Sequence, residues 1–173
     1  AYPEYSLQIG EMHYSVWKNR LECDSITLQT NDSTFTCSAV SFSISGIGWI
    51  KILLQSDFNP NTISSSVIDV QNIVFNFHKS QGEIRLGKLH ISALDSVIIV
   101  DSIKYHLSIN DEQFFAKSQF RQTRSHLNIS QMKILGFDFL SLLERNTYSA
   151  RKISMQDVFA DILLNKDKLS DDK

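Results

Sequence analysis

The sequence predicts a mainly β protein, an antiparallel meander that forms a curved sheet, a sandwich or a β-groove, with one short helix near residues 138–146. Apolar and polar residues alternate with a period of two in several stretches, which is the spacing of a strand with two different faces. The 173 residues include only two prolines, so long strands are permitted. Short polar turns separate the strands and favour hairpins over helical crossovers.

The alternation is clearest in residues 97–109. Odd positions there are apolar apart from Asp101, and even positions after Val100 are polar, which predicts one apolar face and one solvated face. The same period recurs at residues 26–28, 40–44, 73–77 and 84–91. The last of these stretches changes phase beside Gly87, a pattern typical of a β-bulge.

One helix is predicted near the C-terminal end. Asp138 can cap a segment in which Phe139, Leu142 and Leu143 share one face, and Asn146 can end it. Residues 153–164 fit either a helix or a strand. The polar stretches at residues 79–82 and 110–112 are predicted to be turns.

Length and composition predict one folded domain, residues 1–165, followed by a frayed polar tail, residues 166–173. A hydrophobic content of 42% is enough to bury a core. No apolar run is long enough to span a bilayer, and the first residues lack the features of a signal peptide. We therefore expect a mature chain after signal removal or, preferably, a segment of a longer protein.

The charge of the chain argues against one class of partner. The net charge is -2 and the pI is about 6.2, whereas nucleic-acid-binding domains usually carry a basic surface. We expect no nucleic acid as a partner.

An Asp-Ser step precedes an aliphatic residue three times, at Asp24-Ser25, Asp95-Ser96 and Asp101-Ser102. The spacing between these steps is not constant. They are either a weak internal repeat or turns that favour entry into a strand.

Cys23 and Cys37 lie on two predicted strands that flank the polar turn at residues 30–33. The register of that hairpin decides between a disulfide and two half-buried thiols, and the sequence leaves both readings open.

The sequence contains no recognisable catalytic pattern. Its five histidines are scattered, and only strand pairing could bring His90 near His106. The glycines at Gly46 and Gly48 do not form a phosphate-binding loop, and no nucleophile elbow is present. We expect no enzyme activity, no metal site and no cofactor.

Strands that are apolar on both faces, as around residues 97–100, need a second layer or a ligand to cover them. An acyl chain suits such a face because it requires apolar area and no directed polar groups. The candidate ligand-binding residues are therefore the apolar strand positions Ile73, Phe75, Phe77, Val97, Ile99, Ile103 and Tyr105.

Residues 67–166 contain successive amphipathic strands introduced by polar steps, then a short helical stretch, then a further strand. The stretches are Val70-Gln71-Asn72-Ile73-Val74-Phe75, Leu86-Gly87-Lys88-Leu89-His90-Ile91, Asp101-Ser102-Ile103-Lys104-Tyr105, Leu127-Asn128-Ile129, Ile134-Leu135-Gly136-Phe137-Asp138-Phe139, Leu142-Leu143-Glu144-Arg145 and Ala150-Arg151-Lys152-Ile153-Ser154-Met155. In this texture the chain resembles AsmA-like proteins of the bacterial cell envelope, especially the β-rich periplasmic kind of Bacteroidetes.

The resemblance implies a periplasmic or otherwise exported protein linked with outer-membrane homeostasis and with phospholipid movement along β grooves. The expected partners are phospholipid or another apolar ligand, and other envelope proteins. It supplies no catalytic residues. The leading hypothesis is a non-enzymatic envelope domain that binds or conducts lipid along an apolar β face, or that scaffolds the periplasm. The alternative is a surface recognition module, adhesin-like or glycan-binding, that uses exposed aromatic residues such as Trp17 and Trp49.

Overall fold

The computed structural model describes residues 5–48 and 60–169, and it consists mainly of one open, curved antiparallel sheet, as the sequence predicts. The strands are β1 (Tyr5–Ile9), β2 (Met12–Ser15), β3 (Arg20–Cys23), β4 (Ile26–Thr30), β5 (Phe35–Ala39), β6 (Ser41–Ser45), β7 (Val67–Phe77), β8 (Gly82–Ser92), β9 (Val97–Leu107), β10 (Thr123–Leu135) and β11 (Lys152–Leu164). The connections contain a 3-10 turn at Pro60–Ile63 and two helices, α1 (Asp111–Ala116) and α2 (Phe139–Arg145).

The six short strands form three long segments. β1 and β2 pair with β4 and β3 in one unbroken register, from Tyr5 opposite Thr30 to Ser15 opposite Arg20. β3 and β4 pair with β6 and β5 in the same continuous way, and β5 and β6 both pair with β7. The sheet is therefore a meander of eight segments in chain order: residues 5–15, 20–30 and 35–45, followed by β7, β8, β9, β10 and β11.

One row of residues crosses the middle of all eight segments, and the regular pairing is interrupted there. When the register is continued across the interruption, the residues that face one another are Gly10, Ser25, Val40, Asn72, Gly87, Ser102, Ser130 and Asp157, which we call the central row. Asn72, Ser102 and Asp157 have left-handed φ angles of 52°, 56° and 48°. Left-handed residues within strands bend them, so the central row marks a line of bending across the sheet.

The predicted helix is confirmed as α2. The side chain of Asp138 accepts a hydrogen bond from the backbone N–H of Ser141 at 2.9 Å, and Asn146 ends the helix with a left-handed φ of 52°. The capping residues therefore determine both ends of this short helix.

The structure defines the conformation of two stretches, residues 152–164 and residues 110–112. Residues 152–164, which fitted a helix or a strand, form β11 because they pair along the whole of β10. The predicted turn at residues 110–112 was wrong, because Asn110 instead caps α1 by accepting a hydrogen bond from the backbone N–H of Gln113 at 2.8 Å. The connection from β9 to β10 thus contains a helix.

The polar tail is described as far as Leu169. The backbone N–H of Arg121 donates to the carbonyl of Leu169 at 2.9 Å, and the ammonium of Lys168 donates to the carbonyls of Phe115 and Ser118. These contacts connect the start of the tail to α1 and to the segment that follows it.

The disulfide reading is wrong, because Cys23 and Cys37 are both free thiols. The register explains this result: Cys37 lies opposite Leu28 and Phe75, whereas Cys23 lies opposite Phe42. Burial raises the pKa of both thiols, and the charge of the neighbouring Asp24 adds to the effect at Cys23.

Candidate ligand-binding face

The apolar residues change parity at the central row in every segment. In β7 they occupy the even positions Ile68 and Val70 before Asn72, and the odd positions Ile73 and Phe75 after it. Side chains of a regular strand alternate between faces, and a left-handed or bulged residue interrupts that alternation. The change of parity in the sequence and the interruption of the backbone alternation cancel each other, so most apolar residues of each segment lie on one side of the sheet.

The register aligns these residues into rows that run across the sheet. On one side of the central row they are Tyr14, Leu21, Ile44, Ile68, Ile91, Ile98, Ile134 and Ile153, followed by Met12, Cys23, Phe42, Val70, Leu89, Val100, Met132 and Met155. On the other side they are Ile9, Ile26, Ala39, Ile73, Leu86, Ile103, Ile129 and Val158, followed by Leu7, Leu28, Cys37, Phe75, Ile84, Tyr105, Leu127 and Ala160. We call these four rows the apolar face.

The face of the sheet opposite the apolar face carries polar side chains that interact with one another. The first group lies on one side of the central row. The imidazole of His90 lies 2.9 Å from the carboxylate of Asp69, and the ammonium of Lys88 lies 3.5 Å from the same carboxylate. The side-chain amide of Gln131 donates to Asp101 at 2.9 Å. Burial raises the pKa of Asp69, but the hydrogen bond and charge of His90 and Lys88 outweigh it and lower that pKa overall.

The other side of the central row carries a similar polar group. Glu83 forms ion pairs with Arg85 and, at 3.2 Å, with His106. The sheet thus has one apolar face and one face with hydrogen-bonded and charged side chains.

Burial on the apolar face falls from the middle of the sheet towards its two edges. Ile73, Val100 and Ile129 are buried, with 4–5% of their surface exposed. At the edges, Leu7 is 58% exposed and Met155 is 51% exposed. α1 forms an ion pair with β10 and the 3-10 turn contacts α2, while the strands of the described residues otherwise contact mainly their sheet neighbours. The apolar face is therefore closed in its middle, where the side chains are buried, and exposed towards its two edges.

Two partly open pockets among the described residues are too small to be the main candidate. One of about 250 Å³ lies against Arg20 and Asp69, and another of about 240 Å³ lies against Phe137 and Leu143. Pockets for drug-sized ligands usually measure roughly 300–1,000 Å³. The open apolar face is therefore the candidate site.

The structure brings five of the seven candidate residues together. Ile73, Phe75 and Phe77 follow one another on β7, and Ile103 and Tyr105 align with them through β8. The rings of Phe75 and Phe77 lie 6.3 and 5.4 Å from that of Phe35.

The other two candidates belong to the opposite face. Val97 lies opposite Ser92, and Ile99 lies opposite His90. The left-handed Ser102 separates them from Ile103, so the uniform alternation predicted for residues 97–109 does not hold. Sequence reasoning missed Ile98 and Val100, which take their place on the apolar face. The signal that identifies them is the parity change in each segment.

The histidines do not form a site together. His90 and His106 lie on opposite sides of the central row and pair with different carboxylates, Asp69 and Glu83. Among the residues that the structure describes, no three His, Cys, Asp or Glu side chains are placed to hold a metal ion.

The two tryptophans named for glycan recognition give one exposed side chain among the described residues. Trp17 is 99% exposed in the turn between β2 and β3, and Trp49 lies outside the described residues.

No protein-family model matches the chain, and no curated protein matches it. None of the helices within residues 5–48 and 60–169 is long and apolar enough to cross a membrane.

Proposed function

We propose that this chain is a non-enzymatic domain of the cell envelope that holds lipid acyl chains along its apolar face. The observation that carries the proposal is the parity change at the central row, which occurs in all eight segments and gathers the apolar side chains on one side. A single change could be a local irregularity. Eight aligned changes produce a continuous apolar strip.

The dimensions of the strip suit an acyl chain. Eight segments spaced about 4.8 Å apart give a strip of about 34 Å along the central row. One leaflet of a bilayer core is roughly 15 Å thick, so a chain from one leaflet fits along the strip with room for a second. Apolar side chains bind such chains by excluding water, without directed hydrogen bonds.

The ends of the strip favour a ligand that enters or leaves there. Several apolar-face residues of both edge segments are more than half exposed, among them Leu7, Met12, Met155 and Val158. Exposed apolar patches of this kind typically mark sites of ligand or partner binding.

The envelope location of the proposal has a separate basis, which is the resemblance to AsmA-like proteins. Phospholipid as the ligand and other envelope proteins as partners follow from the same resemblance. A scaffolding role in the periplasm without bound lipid is the other form of the proposal, and lipid binding separates the two forms.

A lipid-uptake assay tests the proposal. Delipidated full-length chain is titrated with vesicles of a phospholipid that carries a fluorescent acyl chain. We expect saturable uptake that the double variant Met12→Glu/Met155→Glu reduces at least about fivefold, since each buried charge disfavours an apolar ligand. Both residues are more than half exposed, so the fold tolerates the change.

Phe159→Glu is the matched control for this assay. Phe159 lies on β11, like Met155, and is 65% exposed, but its register places it opposite Asn128 on the polar face. We expect uptake by this variant to equal that of the unmodified chain. Absence of uptake by the unmodified chain refutes lipid binding and leaves the scaffolding form.

A second candidate function is recognition of a glycan by an exposed aromatic side chain. The observation that favours it is Trp17, which is almost fully exposed. Binding on a glycan array that is lost in Trp17→Ala supports this function. An array without binding removes it.

A further inference from the structure

We propose that the free edge of β11 pairs with the free edge of β1–β2 in a second copy of this chain, antiparallel and with Asp157 opposite Gly10. This inference goes beyond lipid binding and does not depend on it. Its basis is the pattern of side chains on the two edges.

Both edges lack a partner strand in the described residues. β11 pairs on one side only, with β10, and residues 5–15 pair on one side only, with residues 20–30. Long edges with exposed apolar side chains readily add another strand. β11 is 13 residues long and includes Met155 and Val158, both more than half exposed.

The order of apolar and polar residues on either side of the central row determines which strand can pair with each free edge. In the first, third, fifth and seventh segments the apolar residue precedes the central residue and the polar one follows, as in Ile129-Ser130-Gln131. In the even segments the order is reversed, as in Gln156-Asp157-Val158. Antiparallel neighbours must have opposite orders, because residues that face each other across two strands point to the same side of the sheet.

β11 is an even segment and therefore requires an odd neighbour. The first segment, with Ile9-Gly10-Glu11, has the odd order and is the other free edge of the chain. With Asp157 opposite Gly10, Val158 faces Ile9 and Met155 faces Met12. The apolar rows and the central row continue across this junction.

Pairing of β11 with β11 of another copy does not satisfy the pattern. If the two Asp157 residues face each other, Val158 of one copy lies opposite Gln156 of the other. Each pair of facing residues next to Asp157 would then place an apolar and a polar side chain on the same face of the sheet. The same conflict arises for two copies of the first segment, where Ile9 faces Glu11.

The resulting contact is head to tail, so each added copy leaves one edge of each type free. Such contacts generate rings or open chains rather than closed symmetric dimers. They also lengthen the apolar strip by eight segments for every copy.

Charge substitutions on the polar face test the register directly. The proposed junction places Gln156 of one copy opposite Glu11 of the next, and both side chains are exposed in the single chain. Gln156→Lys then forms an opposite-charge pair and Gln156→Glu a like-charge pair. We expect tighter self-association of the lysine variant and weaker association of the glutamate variant, each by about two- to fivefold, from sedimentation velocity over a range of concentrations.

The double variant Gln156→Glu/Glu11→Lys restores the opposite charges and should regain the affinity of Gln156→Lys. Leu94→Glu is the control for an exposed apolar residue away from both edges, at 69% exposure in the turn between β8 and β9, and it should not change association. Circular dichroism confirms that each variant is folded.

Several results overturn the proposal. They are a full-length chain that stays monomeric at concentrations of about 100 μM, association that responds equally to the lysine and glutamate variants, and assembly that stops at a closed dimer. Lipid uptake by a strictly monomeric chain would refute this inference and leave the proposed function intact.

Discussion

Ser102 shows how a single backbone conformation changes the assignment of a whole strand. Its φ of 56° lies in the left-handed region, and the positions of β9 that belong to the apolar face are even before it and odd after it. Asp24-Ser25 and Asp101-Ser102 both place their serine in the central row, whereas Asp95-Ser96 lies in the turn between β8 and β9. The sequence therefore contained the signal, but two different structures share the same dipeptide.

A β-branched residue at Ser102 is expected to destabilise the fold. Valine tolerates a left-handed φ poorly, so Ser102→Val should lower the free energy of unfolding by about 1–2 kcal/mol. Ser130→Val is the matched control, because Ser130 lies in the same row, is also exposed and is not left-handed. Urea denaturation measures both variants, and equal stability of the two would contradict the role assigned to Ser102.

Individual elements differ in how fully the sequence determines them. α2 could be predicted because Asp138 and Asn146 are local caps. β11 could not, because Val158, Phe159 and Ile162 fit a helical face, and only pairing with β10 makes the segment a strand. In the candidate site, Phe75 and Tyr105 were predictable from alternation, whereas Ile98 and Val100 required the change of phase.

Burial along the apolar face predicts a gradient of stability effects between elements. Ile73 on β7 is 4% exposed and Ile153 on β11 is 59% exposed. Ile73→Ala should cost about 2–5 kcal/mol, as a large-to-small change in a packed site does, whereas Ile153→Ala should cost less than about 1 kcal/mol. Chemical denaturation of the two variants measures the difference. Equal losses would mean that the edge is covered as completely as the middle.

At the scale of the whole molecule, the antiparallel meander and the curved sheet followed from alternation and short turns. The sequence left open whether a second layer or a ligand covers the strands, because alternation within one strand does not reveal how neighbouring strands align. The register answers part of that question by gathering the apolar residues of all eight segments on one side. The same alignment accounts for the two free thiols and for the separation of His90 from His106.

Photolabelling with a diazirine-bearing fatty acyl chain tests whether lipid binds to the apolar face, because β9 presents neighbouring residues to opposite faces. After irradiation, tandem mass spectrometry locates the label residue by residue. We expect labels at Ile98, Val100, Ile103 and Tyr105, with the change of parity at Ser102. Labels at Val97 and Ile99, or no labelling of β9, would contradict this prediction.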